Sequence, residues 1–168
     1  MDVFEAIRKR RSIRKYLDKD VPDELIKKIL DAARWAPSAK NSQPWEFIIV
    51  KDKEKIRKFA EIKKQEWIKT APVLIFVVAN PRVHKIYYAI DCARATQNAC
   101  LAAFALGLGT CIINCYELSE VKKMLNIPDD LILVEAFSLG WPAESPTKSR
   151  KPLEDIVYEE EYGKKWIK

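Results

Sequence analysis

The sequence predicts one domain that mixes helices with strands, its sheet covered on both faces and its core completed by a second copy of the chain. Three observations carry this reading. The 168 residues are 48% hydrophobic and 32% charged, with 4 Gly and 9 Pro, which suits a single core and excludes fibrous, low-complexity and disordered classes. The run Val73–Ala79 (VLIFVVA) is apolar without alternation, the pattern of a strand buried on both sides. The longest helical segment, about residues 84–106, is apolar on nearly every side; such a helix must be buried all round, and in so small a domain that points to a helix shared with a second subunit.

The elements follow in order. Val3, Phe4 and Ile7 lie at helical spacing and run into the basic loop Arg8-Lys9-Arg10-Arg11. Leu25, Ile26, Ile29, Leu30 and Ala33 mark one face of a second helix, opened by Pro22 and stopped by Pro37. Residues 36–44 form a polar loop before the strand Trp45–Val50, and the charged stretch 53–67 predicts a third helix, ended by Pro72. After the long helix, Gly107-Leu108-Gly109 closes the turn into a strand over 110–115, a short helix follows over 117–125, and a last strand over 131–139 breaks at Gly140-Trp141-Pro142. Residues 1–142 are thus read as the domain. Residues 143–168 hold Pro146, Pro152, many charges and one apolar cluster, Ile156, Val157 and Tyr158, and are read as an extension that is either frayed or docked on something else.

Lys plus Arg number 30 against 24 Asp plus Glu, a net charge of +6 with the single His neutral. The excess favours anionic partners, but a surface so mixed in sign is unlike the concentrated basic arm of a DNA binder. No apolar run reaches the ~18 residues of a membrane span, and Met1-Asp2-Val3-Phe4-Glu5 has an acid and no apolar signal region, so a cytoplasmic location is expected. Cys92, Cys100, Cys111 and Cys115 sit in apolar stretches and read as reduced core thiols. Cys111-x-x-x-Cys115 with a lone His84 is a weak metal pattern, and no metal is expected.

With one histidine and no HExxH, P-loop, EF-hand or GxSxG pattern, the chain has few groups for nucleophilic or acid–base work. Gly107-Leu108-Gly109 lacks a third glycine and follows a helix, which argues against a Rossmann site. An enzyme built this way borrows its chemistry from an organic cofactor. Arg10-Arg11-Ser12-Ile13-Arg14 places three guanidiniums and a hydroxyl in a non-helical stretch, where they can converge on a phosphate or form a solvated basic turn. Lys148-Ser149-Arg150-Lys151 repeats the device near the other end. Residues 37–45 (PSAKNSQPW) string small hydroxyl and amide side chains between prolines, which suits either the polar edge of a heterocycle or a rigid turn.

Taken together, Arg10-Arg11-Ser12-Ile13-Arg14-Lys15-Tyr16, Ala36-Pro37-Ser38 with Gln43-Pro44-Trp45-Glu46-Phe47, Gly107-Leu108-Gly109-Thr110-Cys111 and Arg150-Lys151-Pro152-Leu153 resemble the FMN-dependent nitroreductase family, in the same order and over nearly the whole chain. The resemblance implies an α+β three-layer sandwich around a mostly antiparallel sheet, and an obligate homodimer with FMN at the interface and the C-terminal tail wrapping the partner subunit. It implies that Arg10, Arg11, Ser12 and Arg14, with Lys148 and Arg150, hold the FMN phosphate and ribityl chain. Pro37, Ser38, Ala39 and Asn41 of the other subunit then line the flavin ring, and the strand end Ile113, Asn114 and Cys115 runs along it, with a backbone N–H near 114 or 115 aimed at N5. Where the family often has glycine at or next to 114, this chain has Asn114 and Cys115. For the contact to the flavin pyrimidine, Lys63, Gln65 and Lys69 are the candidates. Tyr87, Tyr88, Trp67 and Tyr116 could wall the substrate pocket.

The expected activity is electron transfer from NADH or NADPH to a nitroaromatic, quinone or similar acceptor by a ping-pong mechanism, with no side chain acting as general base. The alternatives are a flavin-binding or storage protein, a specialised member acting on a halogenated tyrosine or a cofactor precursor, and, more remotely, a nucleic-acid-binding protein using Arg8–Arg14.

Overall fold

A computed structural model describes residues 2–166; Met1, Ile167 and Lys168, at the ends of the two predicted segments, lie outside the described residues. The elements run α1 (Val3–Lys9), α2 (Asp23–Arg34), β1 (Trp45–Val50), α3 (Lys53–Lys63), β2 (Val73–Ala79), α4 (Tyr88–Ala105), β3 (Gly109–Asn114), α5 (Ser119–Met124), β4 (Ile132–Gly140) and α6 (Leu153–Ile156). Single 3₁₀ turns stand at Ala39–Asn41 and Glu66–Thr70. The four strands form one sheet in the order β1-β2-β4-β3, with every neighbouring pair antiparallel.

β2 and β4 are central, and the two-residue repeat of a strand divides their side chains between two cores. Val73, Ile75 and Val77 of β2, with Phe137 and Leu139 of β4, pack under Ile26, Ile29 and Ala33 of α2 and Cys92, Ala95, Ala99 and Ala103 of α4. Leu74, Phe76 and Val78, with Leu133 and Ala136, face Ile56, Phe59 and Ala60 of α3 and Val121 of α5. Phe59 meets Phe76 edge to face, their ring centroids 4.8 Å apart. The result is helices, sheet and helices in three layers, and every residue of β2 is buried, as its unbroken apolar run predicts.

The helix predicted over 84–106 starts instead at Tyr88. His84 ends up in the preceding turn, where its Nδ1 accepts the N–H groups of Ile86 and Tyr87 at 3.3 Å. At the other end Gly107 takes φ 80°, the left-handed conformation that stops a helix, and Leu108 N–H reaches back to Ala103 O at 2.9 Å. Burial on all sides is met only in part by this chain: Cys92, Ala95, Thr96, Ala99, Cys100 and Ala103 are covered, whereas Ile90, Ala93 and Gln97 face outward. Exposed Val3, Phe4 and Ile7 on α1 add to the open apolar surface. The predicted third helix stops at Lys63, where Lys64 turns left-handed, and the chain resumes as the Glu66–Thr70 turn.

After Trp141 the chain follows the domain surface, with Ala143 N–H bonded to Lys15 O at 2.9 Å. The tail then forms the single turn α6 and a small bridge between Tyr158 and Lys165. Leu153, Ile156, Tyr162 and Trp166 remain exposed.

Candidate functional site

The basic segment is positioned by β3. Arg10 caps α1, and the chain then runs extended beside the free edge of β3, where Ser12 pairs with Thr110 and Ile13 N–H donates to Thr110 O at 2.9 Å. Ile13 turns into the core. A Cβ on Gly109 would stand 2.7 Å from Ile13 Cγ1, so the glycine is what lets the segment lie this close. Tyr16 locks the arrangement from below: its buried hydroxyl donates to Ile13 O at 2.8 Å and lies 2.6 Å from Ser138 Oγ. Burial pushes the Tyr16 phenol well above its ordinary range, so it stays protonated and keeps donating.

With Ile13 directed inward, Ser12 and Arg14 lie on less buried ground. Burial raises the pKa of the Cys111 thiol beside this segment, while the positive charges of Arg14 and Arg10 and the Ser12 hydroxyl pull it back. The Arg14 guanidinium also sits over the Trp67 ring at 5.9 Å, and the Arg14 backbone N–H donates to the Glu144 carboxylate. Arg11 behaves differently. Its guanidinium donates to Arg8 O at 2.6 Å, to Arg10 O at 2.8 Å and to Lys148 O at 3.4 Å, so it ties the end of α1 to the tail. The two basic clusters of the sequence therefore meet. Arg10, Arg11, Phe104, Thr110, Glu144 and Ser145 help line a cleft of about 230 Å³ beside them. Among the described residues none of Arg10, Arg11, Arg14, Lys148 and Arg150 is in a salt bridge, and Arg11 Nε is buried without a partner. Lys148 and Arg150 are exposed, the latter bonded to Ser149 O.

Beyond Thr110 the outer edge of β3 stays open. Thr110 O accepts from Ile13 and Asn114 O accepts from Lys63 Nζ at 2.5 Å, both away from β4. By the strand repeat, the N–H groups of Ile112 and Asn114 face the same open side. Ile113 and Cys115 point the other way, into the core, and can offer only backbone. Asn114 keeps ordinary strand geometry and takes no positive φ. Of the three pyrimidine candidates, Lys63 is the one brought to β3; Lys69 pairs with Glu66 at 2.8 Å, and Gln65 is exposed before the Glu66–Thr70 turn.

The loop after α2 is set by backbone strain and short bonds. Lys40, Asn41 and Gln43 take positive φ of 53°, 54° and 45°, Gln43 N–H donates to Ser38 Oγ at 3.0 Å, and Ala39 N–H donates to Asp91 Oδ2 at 3.0 Å. Pro37 and Asn41 are exposed and Ser38 and Ala39 half-buried. This loop stands at the first turn of α4 and the arginine cleft at its last, about 20 Å apart at 1.5 Å per residue. One chain thus holds the two polar clusters apart. At the start of α4, Tyr88 places its hydroxyl 3.3 Å from that of Tyr116, just past the end of β3, and this bond raises the Tyr116 pKa.

Asp91 and Glu144 are site residues that sequence reading missed. Asp91 had a signal, since with Arg94 it supplies the only charges in α4. Glu135, opposite Asn114 in the ladder, has a buried oxygen without a partner, and burial raises its carboxyl above the ordinary range, partly offset by the Thr96 hydroxyl. The four cysteines are free and buried, with Cys92 and Cys115 pushed up to about 12 and Cys100 to about 11, so their thiols stay protonated.

Residues 7–70 and 60–141 match the profile of the Nitroreductase family. The chain belongs to that family. It is 44% identical over 87% of its length to a Methanothermobacter thermautotrophicus protein provisionally named NADH dehydrogenase/NAD(P)H nitroreductase, covering 80% of that protein. It is 31% identical over 96% of its length to the FMN reductase [NAD(P)H] of Bacillus subtilis, covering 74% of it. Among solved nitroreductase structures, one from Desulfovibrio desulfuricans, provisionally named and in complex with FMN, superposes with a TM-score of 0.88 at 32% identity, covering 96% of this chain and 98% of that one. The α+β antiparallel sandwich implied by the resemblance is the observed fold. Among the described residues no helix is long and apolar enough to cross a membrane.

Proposed function

We propose that this chain is a cytoplasmic, NAD(P)H-dependent FMN oxidoreductase that works as an obligate homodimer and passes electrons to a nitroaromatic, quinone or similar acceptor by a ping-pong mechanism. The observation that carries the reading is the course of the Arg10–Arg14 segment along the open edge of β3, with none of its arginines in a salt bridge among the described residues. The donor set fits the group: forked cations for a phosphate dianion, a hydroxyl for the ribityl chain, and strand N–H groups for a ring edge. When bound, FMN supplies reversible hydride chemistry.

The chain's own residues do the rest. Arg10 and Arg14 hold the phosphate from β3, while Lys148 and Arg150 reach it from the tail that Arg11 anchors. The Asn114 N–H donates at the ring edge, where a fixed donor favours the reduced form. Lys63, already on Asn114 O, is placed to meet the pyrimidine side. Pro37, Ser38, Ala39 and Asn41 come from the second copy, which agrees with their separation from the arginine cleft. Tyr88 and Tyr116 offer an aromatic wall for the acceptor. Residues 1–142 act as the domain, and residues 143–168 wrap the second copy. In support, β1 pairs on one side only, and a groove of about 730 Å³ lined by Ile26, Leu30, Trp45, Phe47 and Ile49 runs along its open side.

The test is direct. The purified protein should carry the visible absorption of an oxidised flavin, release FMN on denaturation, and bleach anaerobically with NADH or NADPH, recovering colour when a quinone or nitroaromatic is added. A coloured protein that no reduced nicotinamide bleaches sinks the enzyme reading and leaves flavin storage. A colourless protein that takes up no FMN sinks both.

Gly109→Ala probes the scaffold without touching a ligand. Its Cβ displaces Ile13, a β-branched side chain with little freedom to yield, and with it the arginine segment. A loss of about 1–3 kcal/mol in urea unfolding is expected, together with weaker FMN binding by fluorescence titration.

A further inference from the structure

Asp91 has no exposed surface, stands in the first turn of a helix whose only other charge is Arg94, and takes no part in the electron transfer proposed above. A buried carboxylate persists only where its lone pairs are met. Here one oxygen accepts from Ala39 N–H at 3.0 Å and the other from Arg94 at 2.5 Å. We propose that Asp91 is a positioning residue, the tether that holds the 38–43 loop in its left-handed form.

The loop needs one. Lys40, Asn41 and Gln43 all occupy positive φ, a region disfavoured for side chains with a Cβ and retained only when the surroundings impose it. Asn41 N–H to Ser38 O at 3.0 Å, Ser42 N–H to Ala39 O at 3.1 Å and Gln43 N–H to Ser38 Oγ close the loop on itself. Those bonds would survive if the loop swung as a unit. The Ala39–Asp91 bond fixes it to α4, and the half-exposed Arg94 neutralises the carboxylate that makes the bond. That the held loop then faces the flavin of the second copy rests on the reading in the previous subsection.

Lys40 provides a readout independent of activity, since it is exposed and trypsin can cut after it only if the loop leaves its fixed shape. In the holoprotein, Asp91→Ala should speed cleavage after Lys40 relative to other tryptic sites and raise the FMN dissociation constant, each by about 10- to 100-fold, the range for a lost charged hydrogen bond. Asp91→Asn keeps an oxygen for Ala39 N–H and should restore slow cleavage and the bound-flavin spectrum. Unchanged cleavage after Lys40 in Asp91→Ala, or an Asn variant as loose as the Ala variant, overturns the tether. Faster cleavage with unaltered FMN affinity upholds the tether and instead removes the loop from the flavin site.

Discussion

Replacing Arg10 or Arg14 by Ala is expected to weaken FMN binding by about 1.5–3 kcal/mol each, the worth of a hydrogen bond to a charged group. The two flank Ser12 on a segment that Ile13, Tyr16 and Thr110 hold in place, so each substitution removes a donor without moving the other. Their losses should grow as salt is lowered, because part of the attraction is long range. Arg11→Ala should act by another route. Its guanidinium is spent on the carbonyls of Arg8, Arg10 and Lys148, so its removal frees the 148–150 segment and costs affinity only as far as Lys148 and Arg150 contribute. An Arg11→Ala, Arg150→Ala double variant should therefore lose less than the sum of the singles, the non-additivity expected of coupled residues. Lys123→Ala, on an exposed helix position away from both clusters, is a control that should leave affinity unchanged. Equal small losses at all positions in a flavin titration would reduce the clusters to general basic surface.

Much of this architecture is legible in the chain because local signals and burial agree. VLIFVVA, short, rich in β-branched residues and without alternation, reads as a strand with both faces covered, and its limits are those observed. The arginine segment is legible as chemistry too, since three guanidiniums in five residues need an anion or open solvent. What periodicity could not give is direction. Whether Ile113 or Ile112 faces the open edge depends on where Thr110 O finds its donor, a contact between residues far apart in sequence. The same holds for Lys63, separated from Gln65 and Lys69 only by its reach to Asn114 O. His84 looked like helix and became a turn, because a ring nitrogen accepting two N–H groups competes with helix formation. Asp91 carried its signal in the open: a buried charge within a mostly apolar helix must be paired, and its partners proved to be Arg94 on the same helix and a backbone N–H in the strained loop.

Truncation after Pro146 is expected to cost dimer and flavin together. The tail after that point offers Leu153, Ile156 and Trp166 to water in one chain, and a segment this charged does not order itself around so few apolar groups. The open side of β1 offers the complementary lack, an unpaired strand edge above an apolar groove. If the tail of each copy fills that groove on the other, its buried apolar side chains contribute about 1.5–3 kcal/mol each, enough to hold the segment and fix Lys148 and Arg150 beside Arg11. The truncated protein should then dissociate at concentrations where the full chain is dimeric by light scattering, and should be purified without colour. A Lys148→Ala, Arg150→Ala double variant separates the two effects, since it keeps the apolar anchors and should remain dimeric while binding FMN weakly. A truncated protein that stayed dimeric with unchanged FMN affinity would make the tail a dispensable appendage and strike Lys148 and Arg150 from the phosphate site.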